Sequence, residues 1–208
     1  MKKLMSLMLS VAMVIAMASL AMAADYSSAT SGGSGSSGFS GTPAVVSASS
    51  VTTAATSGGS VRITANAVIT ESVVQSIATA TQPVTFTAPG YTATINPATI
   101  TAAQNISLGA LPANTAVESL FGQYFSNTFA SVQLAQPGAF GATVQFTITP
   151  TNISKLNTAS LVLYSYDPAT NSFTKMSTPY TVNANGSLTF STTVGNTIII
   201  TDGPIAKK

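Results

Sequence analysis

The sequence predicts a mainly β fold: an immunoglobulin-like β-sandwich of antiparallel hairpins with one or two short helices. Three observations carry this expectation. Short runs place apolar residues at every second position, as in Val84-Thr85-Phe86-Thr87-Ala88 and again at Ala142, Val144, Phe146 and Ile148. Turn-forming pairs separate such runs, most clearly Pro89-Gly90 and Asn185-Gly186. The runs also follow one another at the close spacing of a sandwich, with no long helical segments between them.

The chain opens with Lys2 and Lys3, an apolar run over residues 4–20, and the small-residue site Ala21-Met22-Ala23. This is the pattern of a cleaved secretory signal peptide, and the run is too short for a membrane span. Residues 1–23 are therefore expected to leave the chain, with no membrane span remaining after cleavage. Residues 24–42, rich in Gly and Ser, read as a flexible linker. Residues 43–208 read as a β-rich extracellular domain, with a division into subdomains of about 43–130 and 131–208 left open.

Within that domain, Ala44-Val45-Val46 and Val51-Thr52-Thr53 are weak strand candidates. Residues 61–69 are a stronger one, preceded by the turn Gly58-Gly59. A short helix is expected at residues 70–78. Thr70 is its cap, Glu71 suits the positive end of its dipole, and Val73, Val74 and Ile77 share one face. Pro83 stops the helix, and residues 84–95 form a hairpin around Pro89-Gly90. Asn96-Pro97 can open a further helical turn.

Val117, Leu120, Phe121 and Tyr124 fit helical spacing, which predicts a helix over residues 116–125, buried as a plug in preference to lining a groove. The remainder reads as strands: 131–135, 141–149, 161–166, 172–176, 180–182, 187–191 and 197–200. Asp167-Pro168-Ala169-Thr170-Asn171 supplies the turn within that series.

Composition limits the chemistry. Only 6% of the 208 residues are charged, and His and Cys are absent from the whole chain, as is Trp. Without Lys2 and Lys3, five cations face five carboxylates, so the exported chain has zero net side-chain charge. The net +2 of the full sequence is thus no sign of a nucleic-acid or anionic-lipid partner. A surface with so little charge repels its own copies weakly. The missing cysteines leave stability to the core, although export would have permitted disulfides.

The nonapeptide Leu163-Tyr164-Ser165-Tyr166-Asp167-Pro168-Ala169-Thr170-Asn171 and the segment Val182-Asn183-Ala184-Asn185-Gly186-Ser187-Leu188-Thr189-Phe190 precede a closing strand. Upstream, residues 72–105 give a short helix, a strand, a glycine turn, another strand and Asn96-Pro97-Ala98. Together these resemble a β-rich repeat-type domain of secreted and cell-surface bacterial proteins, often found beside surface-layer or wall-anchoring domains. The resemblance implies an extracellular module for cell-surface architecture or adhesion. The chain departs from that pattern at Gly195-Asn196-Thr197-Ile198, where members often carry Ser and Tyr.

Catalysis is not expected, since the usual nucleophile–base pairs need His or Cys. Glu71 and Glu118 are the one remote option, as a glycosidase-like carboxylate pair. Lys155 and Lys175 are the internal candidates for a Ser–Lys dyad or a Lys–Asn isopeptide, and solvated lysines are the expectation. No cofactor and no metal site are expected; Asp167 and Asn171 bracket a turn without the acidic run of a calcium loop. The leading expectation is a non-enzymatic structural or adhesion module, secreted or held at the cell surface or in the periplasm. Its partners would be other surface proteins, further copies of itself, or glycans. The alternative is a carbohydrate-binding module using exposed Tyr91, Tyr164, Tyr166 and Tyr180 as stacking platforms.

Overall fold

The computed structural model describes residues 42–112, 119, 121–123, 125–167 and 170–206. The expected signal peptide and all but the last residue of the expected linker lie outside them.

In chain order the elements are β1 (Ala44–Val45), α1 (Ala48–Ser57), β2 (Ser60–Arg62), β3 (Ala67–Ile69), α2 (Glu71–Ala78), β4 (Val84–Ala88), β5 (Tyr91–Ile95), β6 (Ile106–Ser107) and β7 (Ala110–Pro112). There follow β8 (Phe129–Leu134), β9 (Ala139–Ile148), β10 (Val162–Asp167), β11 (Ser172–Lys175), β12 (Tyr180–Val182), β13 (Leu188–Val194) and β14 (Thr197–Thr201). The fold is mainly β. One sheet runs β12-β13-β9-β5-β4-β2, a second β11-β10-β14-β8-β7, and a small third β1-β3-β6. Most pairings are antiparallel, but β1 with β3 and β2 with β4 are parallel, which hairpins alone do not give.

The inner row of the six-stranded sheet is Val61, Phe86, Ala93, Phe146, Phe190 and Tyr180, each directly opposite the next. Of these, Phe86, Ala93, Phe146 and Phe190 are almost wholly buried, and the Phe146 and Phe190 rings stack with centroids 5.9 Å apart. Each such buried phenyl ring contributes roughly 2 kcal/mol from its removal from water. Ala130, Val132 and Leu134 from β8, Leu163 from β10, and Ile198 and Ile200 from β14 join the same core. Val51 and Ala54 of α1, and Val73, Val74 and Ile77 of α2, extend it. The β5–β9 pairing crosses position 130.

The expected helix at residues 70–78 is α2. Its apolar face is buried, and the Glu71 N–H is held by the Asn105 side chain at 2.8 Å; the Thr70 hydroxyl does not cap it. The hairpin β4–β5 and the turn Pro97–Thr99 also form, the Asn96 side chain accepting from the Ala98 N–H at 3.1 Å.

Two expectations are corrected. Val51-Thr52-Thr53 is helical within α1, where Val51, Ala54 and Ala55 form a buried stripe and Gly58, at φ 69°, stops the helix. Thr52, Thr53 and Thr56 satisfy their hydroxyls on carbonyls four residues back, which removes the usual objection to threonine in a helix. Residues 61–69 are not one strand. Thr64 donates to the Asn66 side chain, the Ala67 N–H returns to the Thr64 carbonyl, and the resulting turn sends β2 and β3 to different sheets. The expected helix over residues 116–125 falls largely outside the described residues, as do Val117, Leu120 and Tyr124; Phe121 is helical and buried.

Candidate functional site

The four tyrosines expected to stack on sugar rings do not share a platform. Tyr91 in β5 is 4% exposed, and its hydroxyl donates to the Ala65 carbonyl at 3.3 Å. Burial pushes its phenol well above the usual tyrosine range. Tyr180 in β12 packs on the main core and donates to the Leu161 carbonyl at 2.8 Å. Tyr164 and Tyr166 do share one face of β10, as strand alternation requires, but that face is covered.

The cover is a second apolar cluster on the outer face of the five-stranded sheet. Phe121, Phe125, Tyr166 and Ile199 are its buried members, and Phe129, Tyr164, Phe173 and Ile205 flank them. Ring centroids are 4.9 Å apart for Phe121–Tyr166, Phe125–Phe173 and Tyr166–Phe173, within the range of favourable aromatic pairs. The C-terminal segment straps this cluster. The Ile205 N–H donates to the Tyr164 hydroxyl, the Ser126 N–H donates to the Ala206 carbonyl, and the Ala206 N–H donates to the Asn127 side chain. Tyr166 is thereby 2% exposed and donates its hydroxyl to Asn171 at 3.1 Å. A stacking sugar needs an open ring face, and Tyr91 and Tyr166 offer none.

The acid–base candidates that are described, Glu71, Lys155 and Lys175, stand exposed. Glu71 lies on α2 and accepts from Gln75 at 3.2 Å; Glu118 lies outside the described residues. Asp167 accepts from the Thr170 hydroxyl at 2.8 Å, and Asn171 takes the left-handed conformation at φ 49°, both turn-forming roles. Among the described residues no group of three or more His, Cys, Asp or Glu is placed to hold a metal ion. None of the described helices is long and apolar enough to cross a membrane.

What the sheets present outward is more distinctive. Of the four outer strands of the two large sheets, β11 carries Lys175, β2 carries Arg62 and β7 ends in Pro112. Charge and proline are the ordinary guards of a sheet edge. The fourth, β12, carries no charge and no proline within its three residues, Tyr180-Thr181-Val182, although Pro179 immediately precedes it; Thr181 is exposed. No charged residue occurs anywhere between Met176 and Thr201. Beyond β12 the next strand protects itself, because β13 is bulged between Thr192 and Val194 and the Thr192 hydroxyl bonds both backbone groups of Val194. Low charge is legible in the sequence, but which strand lies outermost emerges only from the strand order.

The chain matches no protein-family model and no curated relative.

Proposed function

We propose that this chain is an exported, non-enzymatic structural and adhesion module of the bacterial cell surface. It presents a neutral β surface to other surface proteins, and above all to a second copy of itself. The β12 edge is the observation that carries this reading: an uncharged edge whose three residues include no proline, with Pro179 just before it, whereas the other outer strands of the large sheets contain Lys175, Arg62 or Pro112. The zero net side-chain charge of residues 24–208 removes the repulsion that would oppose pairing. The fold reading that goes with it is an immunoglobulin-like sandwich, supported by two large, mainly antiparallel sheets that share one core.

Antiparallel pairing of β12 with the β12 of a second copy would continue the six-stranded sheet across a two-fold axis. Three residues a side make a weak contact, so the assembly is concentration-dependent. The test is Thr181→Lys, which sets two like charges against each other at that axis. Assembly is expected to fall at least tenfold while circular dichroism stays unchanged. Unchanged assembly in this variant would reject the edge as the contact.

A further inference from the structure

The outer face of the six-stranded sheet carries a threonine lattice. Strand pairing places Thr87, Thr92, Thr147, Thr189 and Thr181 in one continuous row, each opposite the next on five adjacent strands. A second row runs beside it through Thr85, Thr94, Gln145 and Ser191. Thr87, Gln145 and Thr181 are exposed and the other six are half-buried, so none of the nine is fully covered. Within the rows the hydroxyls of Thr85 and Thr94 lie 3.0 Å apart, and those of Thr147 and Thr189 lie 2.9 Å apart. Asn183 donates to Thr189 at 3.0 Å, which fixes that hydroxyl from the side. The array is therefore preorganised, and both χ1 preference and hydrogen bonding hold it.

From this lattice we infer a binding face for a neutral, extended polysaccharide chain lying across the strands. Three properties select that ligand. The row repeats at the strand spacing of about 4.8 Å, comparable to the length of one sugar residue in an extended chain, so successive residues meet the same hydroxyl and methyl pair. The face carries no charge inside Arg62 at the β2 edge, which favours a neutral polymer over an anionic one. Sheets also twist by roughly 20–25° per strand, which a single flexible chain can follow and a flat crystal lattice, such as ice, cannot. With no aromatic ring on the rows, each contact is weak, and affinity must come from several sugars engaged at once. This inference concerns the threonines, not the buried tyrosines, and it does not require pairing through β12.

The experiment is an NMR titration of the purified chain with cellohexaose, xylohexaose, maltohexaose and cellobiose. Saturable binding of at least one hexaose is expected, at least tenfold tighter than cellobiose, with shifts concentrated at Thr87, Thr92, Thr147 and Thr189. The triple variant Thr92→Val, Thr147→Val, Thr189→Val keeps the β-branched shape and removes the hydroxyls; it should lose binding at least tenfold. Thr87→Val alone, a single exposed change, should weaken binding in the same direction and serves if the triple variant does not fold. No saturable shift with any hexaose, shifts located elsewhere, undiminished binding by a folded variant, or shaping of growing ice crystals by the wild-type chain would each overturn the inference.

Discussion

Gly195, like Gly141, is a position at which neighbouring backbone leaves no room for a side chain. A Cβ at Gly195 would run into the carbonyl group of Gln136, while the Gly195 N–H donates to the Gly138 carbonyl at 2.7 Å. Gln136 is nearly buried and ties three segments together. Its side-chain oxygen accepts from the Ser107 N–H at 2.8 Å, and its amide donates to the Ala139 carbonyl at 3.2 Å. Because backbone cannot move aside as a flexible side chain can, Gly195→Ala is expected to cost about 3 kcal/mol, read as a lower midpoint in urea unfolding. Tyr91 gives a pH signature at the same scale. Its folded-state pKa is raised by burial, so above about pH 10 the unfolded state gives up a proton that the folded state keeps. Stability contributed by the neutral phenol is full below pH 10 and declines as pH rises further. Tyr91→Phe should flatten this alkaline decline in denaturation measured from pH 9 to pH 11; an equally steep decline in the variant would contradict the assignment.

At the scale of elements, legibility followed the distance over which the deciding contacts act. The β4–β5 hairpin and α2 were readable because their signals are local: the Pro89-Gly90 turn and the shared face of Val73, Val74 and Ile77. Residues 61–69 were misread because alternation continues through Thr64-Ala65-Asn66, where side-chain hydrogen bonds turn the chain. Val51-Thr52-Thr53 was misread because a stripe of small apolar residues and the Gly58 stop outweigh β propensity. The threonine rows were invisible for a different reason: each strand shows its own alternation, but the alignment of Thr92, Thr147 and Thr189 exists only once the strands pair. The aromatic cluster likewise joins Phe121, Phe125, Tyr166 and Phe173 from distant segments. Beneath it, opposite Ile199 on β14, lies Ser131 of β8, fully buried and with no partner for its hydroxyl among the described residues. Ser131→Ala removes that desolvated group and is expected to stabilise the fold by about 1 kcal/mol in thermal or chemical unfolding. A loss of stability would mean that the hydroxyl is paired after all.

For the whole molecule, two outward features fit the proposed role in surface contact: a charge-free edge at β12 and an uncharged hydroxyl lattice on the face beside it. They share Thr181, which ends the threonine row and exposes the edge. Pairing of two β12 strands would therefore join two threonine rows into one longer track, so assembly and glycan affinity should reinforce each other through avidity. Neither feature depends on titrating groups, and the chain has no histidine to change charge near neutrality. Light scattering of purified residues 24–208, over a concentration series at low and high salt, tests the central claim most directly. The account predicts a mass that rises with concentration, changes little with salt and falls back to the monomer in Thr181→Lys. A monomer at every concentration, or assembly that survives Thr181→Lys, would contradict it.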